Sequence, residues 1–420
     1  MDFATSSDPA VQRQLDRLTA LSPGRDILGL ERITALLARL GHPERRLPPV
    51  FHVAGTNGKG STCAFLRAAI EAAGLSAHVY TSPHLVRFNE RIRLAGRLIG
   101  DAPLAGLLEE VLDDAEGLGA SFFEVTTAAA FLAFSRTPAD ACVIEVGLGG
   151  RLDATNVFER PAACGIAALG IDHQSFLGEG LGEIAAEKAG IARPGVPLTT
   201  LAYPPEAEAS IEAAVARTGT LRLKQGEAWG IEGHIYRDLY GALELPAPAL
   251  SGTHQLLNAG LALAMLRHQG AIAVPEPALI EGIRAARWPA RLQRLAPGPL
   301  TAGRELWLDG GHNPSAAQAL AEALSGQRLD LVLGMLANKD AEGFLRLLAP
   351  VIRSVSAVPI EAHEHHAPEQ LAAIAGRLGL PGRACPDLAS ALAPLPGPVL
   401  IAGSLYLAGQ VLALNGEAPQ

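Results

Sequence analysis

The chain has 420 residues, and a prior of roughly 150 residues per domain divides it into two or three domains. Hydrophobic residues make up 49% and charged residues 18%, which excludes a disordered chain. The net charge of −9, with no run of five or more Lys and Arg, excludes a nucleic-acid surface, which needs a basic excess. Met1 to Ser7 lacks a basic stretch followed by an apolar core, so no secretory signal is expected. No apolar run reaches membrane length. A soluble, cytoplasmic protein without nucleic-acid or membrane partners, working as a monomer, is the expectation. Cys63, Cys142, Cys164 and Cys385 form no C-x-x-C pair and read as buried free thiols rather than a disulfide or metal set.

In chain order, Val50-Phe51-His52-Val53-Ala54 is a short apolar strand ended by Gly55. A helix from about Ser61 to Ala73 follows and stops at Gly74. Ala77 to Tyr80 reads as the next strand. Leu104, Leu107, Leu108, Val111, Leu112 and Leu118 recur at helical spacing. Ala141 to Ile144 and Cys164 to Leu169 are continuous apolar runs, the mark of parallel strands buried on both faces. This alternation predicts a doubly wound α/β sheet with ligands outside the carboxyl ends of its strands. From Leu198 to Leu250 the pattern is irregular and rich in Pro and Gly. A helix carrying Leu256, Leu257, Leu261 and Leu263 follows. Pro297-Gly298-Pro299 reads as a linker. Beyond it, Glu305–Leu308, Leu331–Leu333 and Val399–Ile401 are strands of a second, smaller Rossmann-like α/β domain. The predicted domains are 1–297 and 298–420. There is no other internal repeat and no low-complexity tract.

Strand, Gly-rich loop, Lys, Ser and helix in that order form a phosphate cradle: Gly55-Thr56-Asn57-Gly58-Lys59-Gly60-Ser61. Glycines let backbone N–H groups approach the phosphates, Lys59 reaches the β/γ oxygens, and the Ser61 hydroxyl can hold Mg²⁺. The spacing departs from G-x-x-x-x-G-K-[ST], because Gly60 stands between Lys59 and Ser61. Glu145 ends an apolar strand. A carboxylate there needs a positive partner, either a salt bridge or a magnesium ion, and its place at a strand's carboxyl end favours the ion. His173 follows another apolar strand and is either a structural residue or a ligand. In a helix over Gly182–Ile191, Lys188 shares a face with Ile184 and Ile191. It either snorkels to solvent or is a desolvated amine of lowered pKa. Asn313 at N-cap with Pro314 at N1 is an ordinary helix start. Asp309 and His312 have no such explanation.

Seven stretches in this order resemble the Mur ligase superfamily and, within it, the folylpolyglutamate synthase/dihydrofolate synthase family. They are Leu28 to Arg32, Ala54 to Ser61, Ser82-Pro83-His84-Leu85, Glu145 to Asn156, Asp172-His173, Glu187-Lys188-Ala189-Gly190-Ile191, and Asp309-Gly310-Gly311-His312-Asn313-Pro314. The Gly310-Gly311 pair departs from a commoner family form, but small residues are all the turn needs. The resemblance implies a P-loop-type ATPase domain followed by a Rossmann-like glutamate-ligase domain. It implies an ATP-dependent ligase that adds L-glutamate to dihydropteroate and to folates such as tetrahydrofolate, through an acyl phosphate. It implies ATP contacts from the phosphate loop, Asn258, Arg291 and Asp309. It also implies two magnesium ions, held among Ser61, Ser82, Glu145, His173 and a carbamylated Lys188. Pterin contacts are implied at Ile27, Leu28, Phe122, Phe123, Glu124, Arg151, Leu152 and Asp153, the phenylalanines serving equally well as core. His312 and Ser404 resemble positions near the incoming glutamate, and Lys59, Lys188, His173 and His312 are the implied catalytic set. Two motifs stay outside this pattern. Asn338-Lys339-Asp340 is one residue short of the guanine-selecting N-K-x-D and reads as a loop. The triplet His363, His365 and His366 matches no family motif, and adjacent His residues point in different directions.

Overall fold

The computed structural model describes residues 4–21 and 28–419; Ile27, one of the predicted pterin contacts, lies outside the described residues. The chain divides into two compact units. The first holds the chain up to Ala249 together with Leu256–Arg287, the second Leu250–Gln255 together with Trp288–Pro419. The second unit therefore takes in Gln293–Arg294, ahead of Pro297-Gly298-Pro299, because that strand pairs within its sheet.

The first unit is built on an eight-stranded sheet. Its strands are β1 (Val50–Ala54), β2 (Ala77–Tyr80), β3 (Ile92–Leu94), β4 (Arg97–Leu98), β5 (Ala141–Glu145), β6 (Ala163–Ile166), β7 (Pro197–Thr200) and β8 (Leu221–Lys224). Their spatial order is β4-β3-β2-β5-β1-β6-β7-β8. From β2 to β8 all neighbours are parallel, and β3 and β4 form an antiparallel edge. Every residue of β1 and β5 is buried, as covered parallel strands require. β1 lies between β5 and β6, where the strand order reverses, so the loops leaving β2, β5, β1 and β6 share one edge of the sheet. Helices Lys59–Ala72 and Glu276–Ala285 pack so closely that a Cβ on Gly282 would overlap the backbone of Ala69. On the side of helix Phe122–Arg136 the core gathers Phe131, Phe134, Leu104, Leu108, Leu15 and Leu18. Burying each such side chain stabilises the fold by about 1.5–3 kcal/mol.

Three sequence expectations are corrected. The helix after β1 starts at Lys59 rather than Ser61, because Gly58 takes a left-handed φ of 82° as its N-cap. The strand predicted to reach Leu169 ends at Ile166, because the chain then turns to hydrogen-bond the phosphate loop. The segment 198–250 is not irregular. It holds β7, β8, a helix Pro205–Thr218 and a three-stranded antiparallel sheet of β9 (Trp229–Glu232), β10 (Ile235–Asp238) and β11 (Gly241–Glu244). The Pro and Gly residues there punctuate elements. Pro205 opens the helix, Gly219 closes it at φ 66°, and Gly233 turns between strands at φ 59°.

The second unit carries a six-stranded sheet in the order β12-β13-β17-β14-β15-β16. The strands are β12 (Gln293–Arg294), β13 (Leu306–Leu308), β14 (Leu329–Leu333), β15 (Ile352–Ala357), β16 (Gly382–Ala384) and β17 (Val399–Ala402). All neighbours are parallel except β12 with β13. Among the described residues no helix is long and apolar enough to cross a membrane. The four cysteines are buried and free.

Candidate active site

The phosphate loop leaves β1 and enters helix Lys59–Ala72. Gly55 has φ 149°, and a Cβ there would press on Ala167 at 2.9 Å. The loop is fastened to the turn after β6: the Thr56 and Asn57 amides donate to the Ala168 carbonyl at 2.8 and 3.1 Å, and Thr56 Oγ1 donates to Gly170 O at 3.0 Å. The Lys59, Gly60 and Ser61 amides form the first turn of the 14-residue helix, where N–H groups lack helical partners and the helix dipole favours an anion. Gly60 and Ser61 are buried. Asn258 packs on this loop, since a Cβ on Gly58 would collide with its carboxamide.

The Lys188 ammonium is buried and donates to Gly55 O at 3.0 Å. The snorkelling alternative is thus excluded by position. Burial first, and the Lys59 cation second, lower the Lys188 pKa to about 7. The carboxylates of Asp172, Asp153 and Glu187 pull it upward. Gly150 permits this approach, because a Cβ there would stand 3.0 Å from Lys188 Cα.

Glu145 ends β5, is buried, and lies 3.9 Å from Lys59 Nζ. Ser61 Oγ is buried and has no hydrogen-bond partner among the described residues. An orphaned hydroxyl at the loop and a buried carboxylate at the strand end are hard oxygen donors, and they fit a magnesium ion. Ser82 leaves β2 on the same sheet edge. Its loop is braced by Glu90, which accepts from the amides of Leu85, Val86 and Arg87 at 2.8, 3.0 and 2.7 Å. His173 is left-handed at φ 53°, with its side chain 46% exposed and 4.0 Å from Asp172.

On the predicted pterin side, Phe122 belongs to the core and meets Phe88 edge-on at 6.0 Å. Phe123 is half-buried and covers Gly147, where a Cβ would strike its ring. Glu124 caps its own helix through Ser121 and pairs with Arg32 at 3.0 Å. Arg151 is half-exposed and pairs with Glu187 at 2.8 Å. Asp153 is buried and turns inward. It accepts from the Leu148 amide at 2.7 Å and from Thr155. Leu28 and Leu152 are both partly exposed.

In the second unit Asp309 follows β13 and accepts from the amides of Leu292 and Gly311 at 2.7 and 2.6 Å. Arg291 stands at the same turn, 3.1 Å from where a Cβ on Gly310 would lie. His312 contacts Gly310 O at 3.0 Å through Nδ1. Ser404 caps helix Leu405–Asn415 by accepting from Tyr406 N at 3.1 Å. The β13 and β17 turns meet where Gly403 N donates to Gly311 O at 3.0 Å. Asn313 caps helix Pro314–Ala323 as predicted. Asn338-Lys339-Asp340 is a loop ending in a helix cap. The three histidines part company: His363 stacks on Tyr406, His365 contacts His363 O, and His366 contacts Lys339 O. Sequence reading missed His52 and Thr155, which stand behind the turn at Gly147–Gly150. A histidine inside an apolar strand was the available signal.

A family model, "Mur ligase, glutamate ligase domain", matches residues 291–401. A dihydrofolate synthase/folylpolyglutamate synthase of Bacillus subtilis is 35% identical over 357 residues, spanning 78% of this chain and 80% of that protein. Escherichia coli FolC in complex with DHPP and ADP superposes with a TM-score of 0.86 at 33% identity, covering 97% of each chain. A bifunctional folylpolyglutamate synthase/dihydrofolate synthase with Mn, AMPPNP and L-glutamate bound gives a TM-score of 0.84 at 31% identity, covering 98% of this chain and 99% of the other.

Proposed function

The chain belongs to the folylpolyglutamate synthase/dihydrofolate synthase family of ATP-dependent ligases, and from that premise we propose that it joins L-glutamate both to dihydropteroate and to folates that already carry glutamate. The observation that carries the reading is the phosphate loop itself, with Lys59 paired to Glu145 and the Ser61 hydroxyl left unpartnered. The acceptor's carboxylate attacks the γ-phosphorus of ATP and ADP departs, leaving an acyl phosphate. The glutamate amine then attacks that carbonyl carbon, phosphate leaves, and the amine gives up a proton as the amide forms.

The chain's own residues position and neutralise. Amides of the first helical turn orient the phosphates, and the Lys59 ammonium balances charge gathering on the transferring group. Ser61, Ser82, Glu145 and His173 are the side chains proposed to hold magnesium, which when bound supplies further charge neutralisation at the phosphates. Lys188, with its pKa near 7, has a neutral fraction able to add CO₂. A C–N bond forms, a proton leaves, and the resulting carbamate is an anionic oxygen donor. Asn258, Arg291 and Asp309 are assigned to ATP. Leu28, Phe123, Arg151 and Leu152 are assigned to line the acceptor side, with the buried Phe122, Glu124 and Asp153 supporting it from behind, and His312 and Ser404 serve glutamate. The enzyme acts as a monomer, and light scattering that returned a dimer mass would reject that.

The test is phosphate release with dihydropteroate and with tetrahydrofolate, each with and without L-glutamate. Release that requires acceptor and glutamate together, with both acceptors, is the expected result. Activity with tetrahydrofolate alone would restrict the enzyme to polyglutamate synthesis. Equal release without any acceptor would reject the ligase.

A further inference from the structure

Behind the turn that follows β5 runs a buried chain of three polar side chains. His52 Nε2 lies 2.8 Å from Thr155 Oγ1. Thr155 Oγ1 donates to Asp153 Oδ1 at 2.5 Å, and the Thr155 amide donates to the same oxygen at 2.9 Å. The other oxygen, Oδ2, accepts from the Leu148 amide at 2.7 Å. All three side chains are buried: His52 is 1% exposed, Thr155 0% and Asp153 2%.

The directions of these bonds are fixed by counting protons. Two amides and a hydroxyl all point at Asp153, so it acts as an ionised acceptor. Burial outweighs these bonds and leaves its pKa above the usual carboxylate value, while the hydrogen bonds from Thr155 and Leu148 partly offset that rise. The one hydroxyl proton of Thr155 is committed to Asp153. Its oxygen must therefore accept from His52, which places a proton on Nε2 of that ring. Burial is the main cause that drives the His52 pKa down to about 3, so the ring stays neutral at all working pH values.

The two ends of this chain differ in rigidity. His52 sits in the middle of the sheet, in register with Ile144 on one side and Cys164 on the other. β1 and the phosphate loop after it are therefore held by strand pairing without the chain's help. The turn at Gly147–Gly150 is in no strand or helix, and the Leu148 amide bond to Asp153 anchors it. Phe123 rests on Gly147 of this turn.

We propose that His52 and Thr155 are positioning residues for the acceptor substrate: the relay His52→Thr155→Asp153 locks the Asp153 carboxylate and, through Leu148, the turn that supports Phe123. The proposal rests on the assignment of Phe123 and Asp153 to the acceptor side. Removing the Thr155 hydroxyl frees the carboxylate to rotate and the turn to move, while the phosphate loop keeps its geometry.

The experiment compares wild type with T155V and T155S in the full chain, varying dihydropteroate, ATP and L-glutamate separately. T155V is expected to raise KM for dihydropteroate about tenfold, the scale of one hydrogen bond to a charged group. KM for ATP should stay within about twofold, and T155S should restore the wild-type value. An unchanged KM for dihydropteroate, or equal rises for dihydropteroate and ATP, overturns the proposal. If T155V does not fold, H52L against H52Q reads the same relay, since Gln keeps a donor near the Nε2 position and Leu does not. Hydrogen exchange at the Leu148 amide separates this idea from the acceptor assignment. Faster exchange in T155V with no change in KM keeps the relay but overturns its role toward the substrate. Wild type without any dihydropteroate-dependent turnover overturns the acceptor reading, and unchanged Leu148 exchange overturns the relay.

Discussion

The Lys188 amine donates to the carbonyl of Gly55 at 3.0 Å, which ties helix Leu181–Ala189 to the first residue of the phosphate loop. The side chain is buried, and the Lys59 cation disfavours a charge on it. Such a site is costly for an ammonium and suits a group whose charge can change. Lys188→Ala is expected to lower kcat by roughly a hundredfold or more, on the scale of losing one preorganised charged group at a reacting centre. Partial recovery on adding short carboxylic acids supports the carbamate, because such an acid returns the lost carboxylate. Full activity in Lys188→Ala removes Lys188 from the chemistry.

The same lysine makes stability depend on pH. Its folded pKa is about 7 against 10.5 for the free side chain. Between those values the unfolded chain holds a proton that the folded chain lacks, so stability rises with pH through that window. Below about pH 7 the burial penalty is fully present, and near pH 10.5 it is gone. The gain is at most about 1.4 kcal/mol per pH unit. Lys188→Met, which has no titrating group, should lack it. Melting temperatures of both proteins between pH 7 and 10 are the measurement, and a constant gap between them would contradict the assigned pKa.

Gly58 is needed for two reasons at once. Its φ is 82°, and a Cβ there would collide with the Asn258 carboxamide. The left-handed backbone alone costs a non-glycine residue about 1–2 kcal/mol. Gly58→Ala should therefore lower the melting temperature by several degrees and raise KM for ATP at least about tenfold, as Asn258 is pushed from the loop. A stability loss with unchanged KM for ATP would mean that Asn258 does not serve the nucleotide.

Much of this was legible in the sequence, for identifiable reasons. Val50–Ala54 and Ala141–Glu145 are parallel strands buried along their whole length, and such strands leave continuous apolar runs. Asn313-Pro314 is a local signal that needs no tertiary context, and it caps its helix as read. The chain between Leu198 and Leu250 was misread because its Pro and Gly residues sit at element ends, and density of turn residues cannot distinguish a break from a boundary. The burial of Lys188 was not legible either. Helical spacing gave its face, but what covers that face is Gly55 and Gly150, more than thirty positions away in sequence. His52 and Thr155 escaped for the same reason, since a relay of hydrogen bonds exists only once distant residues meet.

Glu145 and Lys59 are 3.9 Å apart with both side chains largely buried. If Glu145 is only the lysine's counter-charge, Glu145→Gln leaves the magnesium requirement unchanged and lowers stability. If it also holds the ion, the magnesium concentration at half-maximal activity rises about tenfold or more. The second outcome is expected, because a carboxylate at the carboxyl end of β5 shares its sheet edge with the loop that carries Ser61. A magnesium titration of activity in wild type and Glu145→Gln decides between them.

His312 and Asn313 are adjacent but differ in what holds them. Asn313 Oδ1 accepts from Ala316 N at 2.9 Å and from Ser315 at 3.0 Å, so its side chain is committed to the helix start. Asn313→Ala should cost about 1 kcal/mol of stability with little change in KM for glutamate. His312 is only partly buried, and its Nδ1 contacts Gly310 O within its own turn. His312→Ala should do the reverse, raising KM for L-glutamate several-fold while the melting temperature moves little. Both quantities can be read from one pair of variants. If the two effects fall on the same residue, the glutamate assignment of this turn is wrong, because a cap that loosens the helix would then explain both.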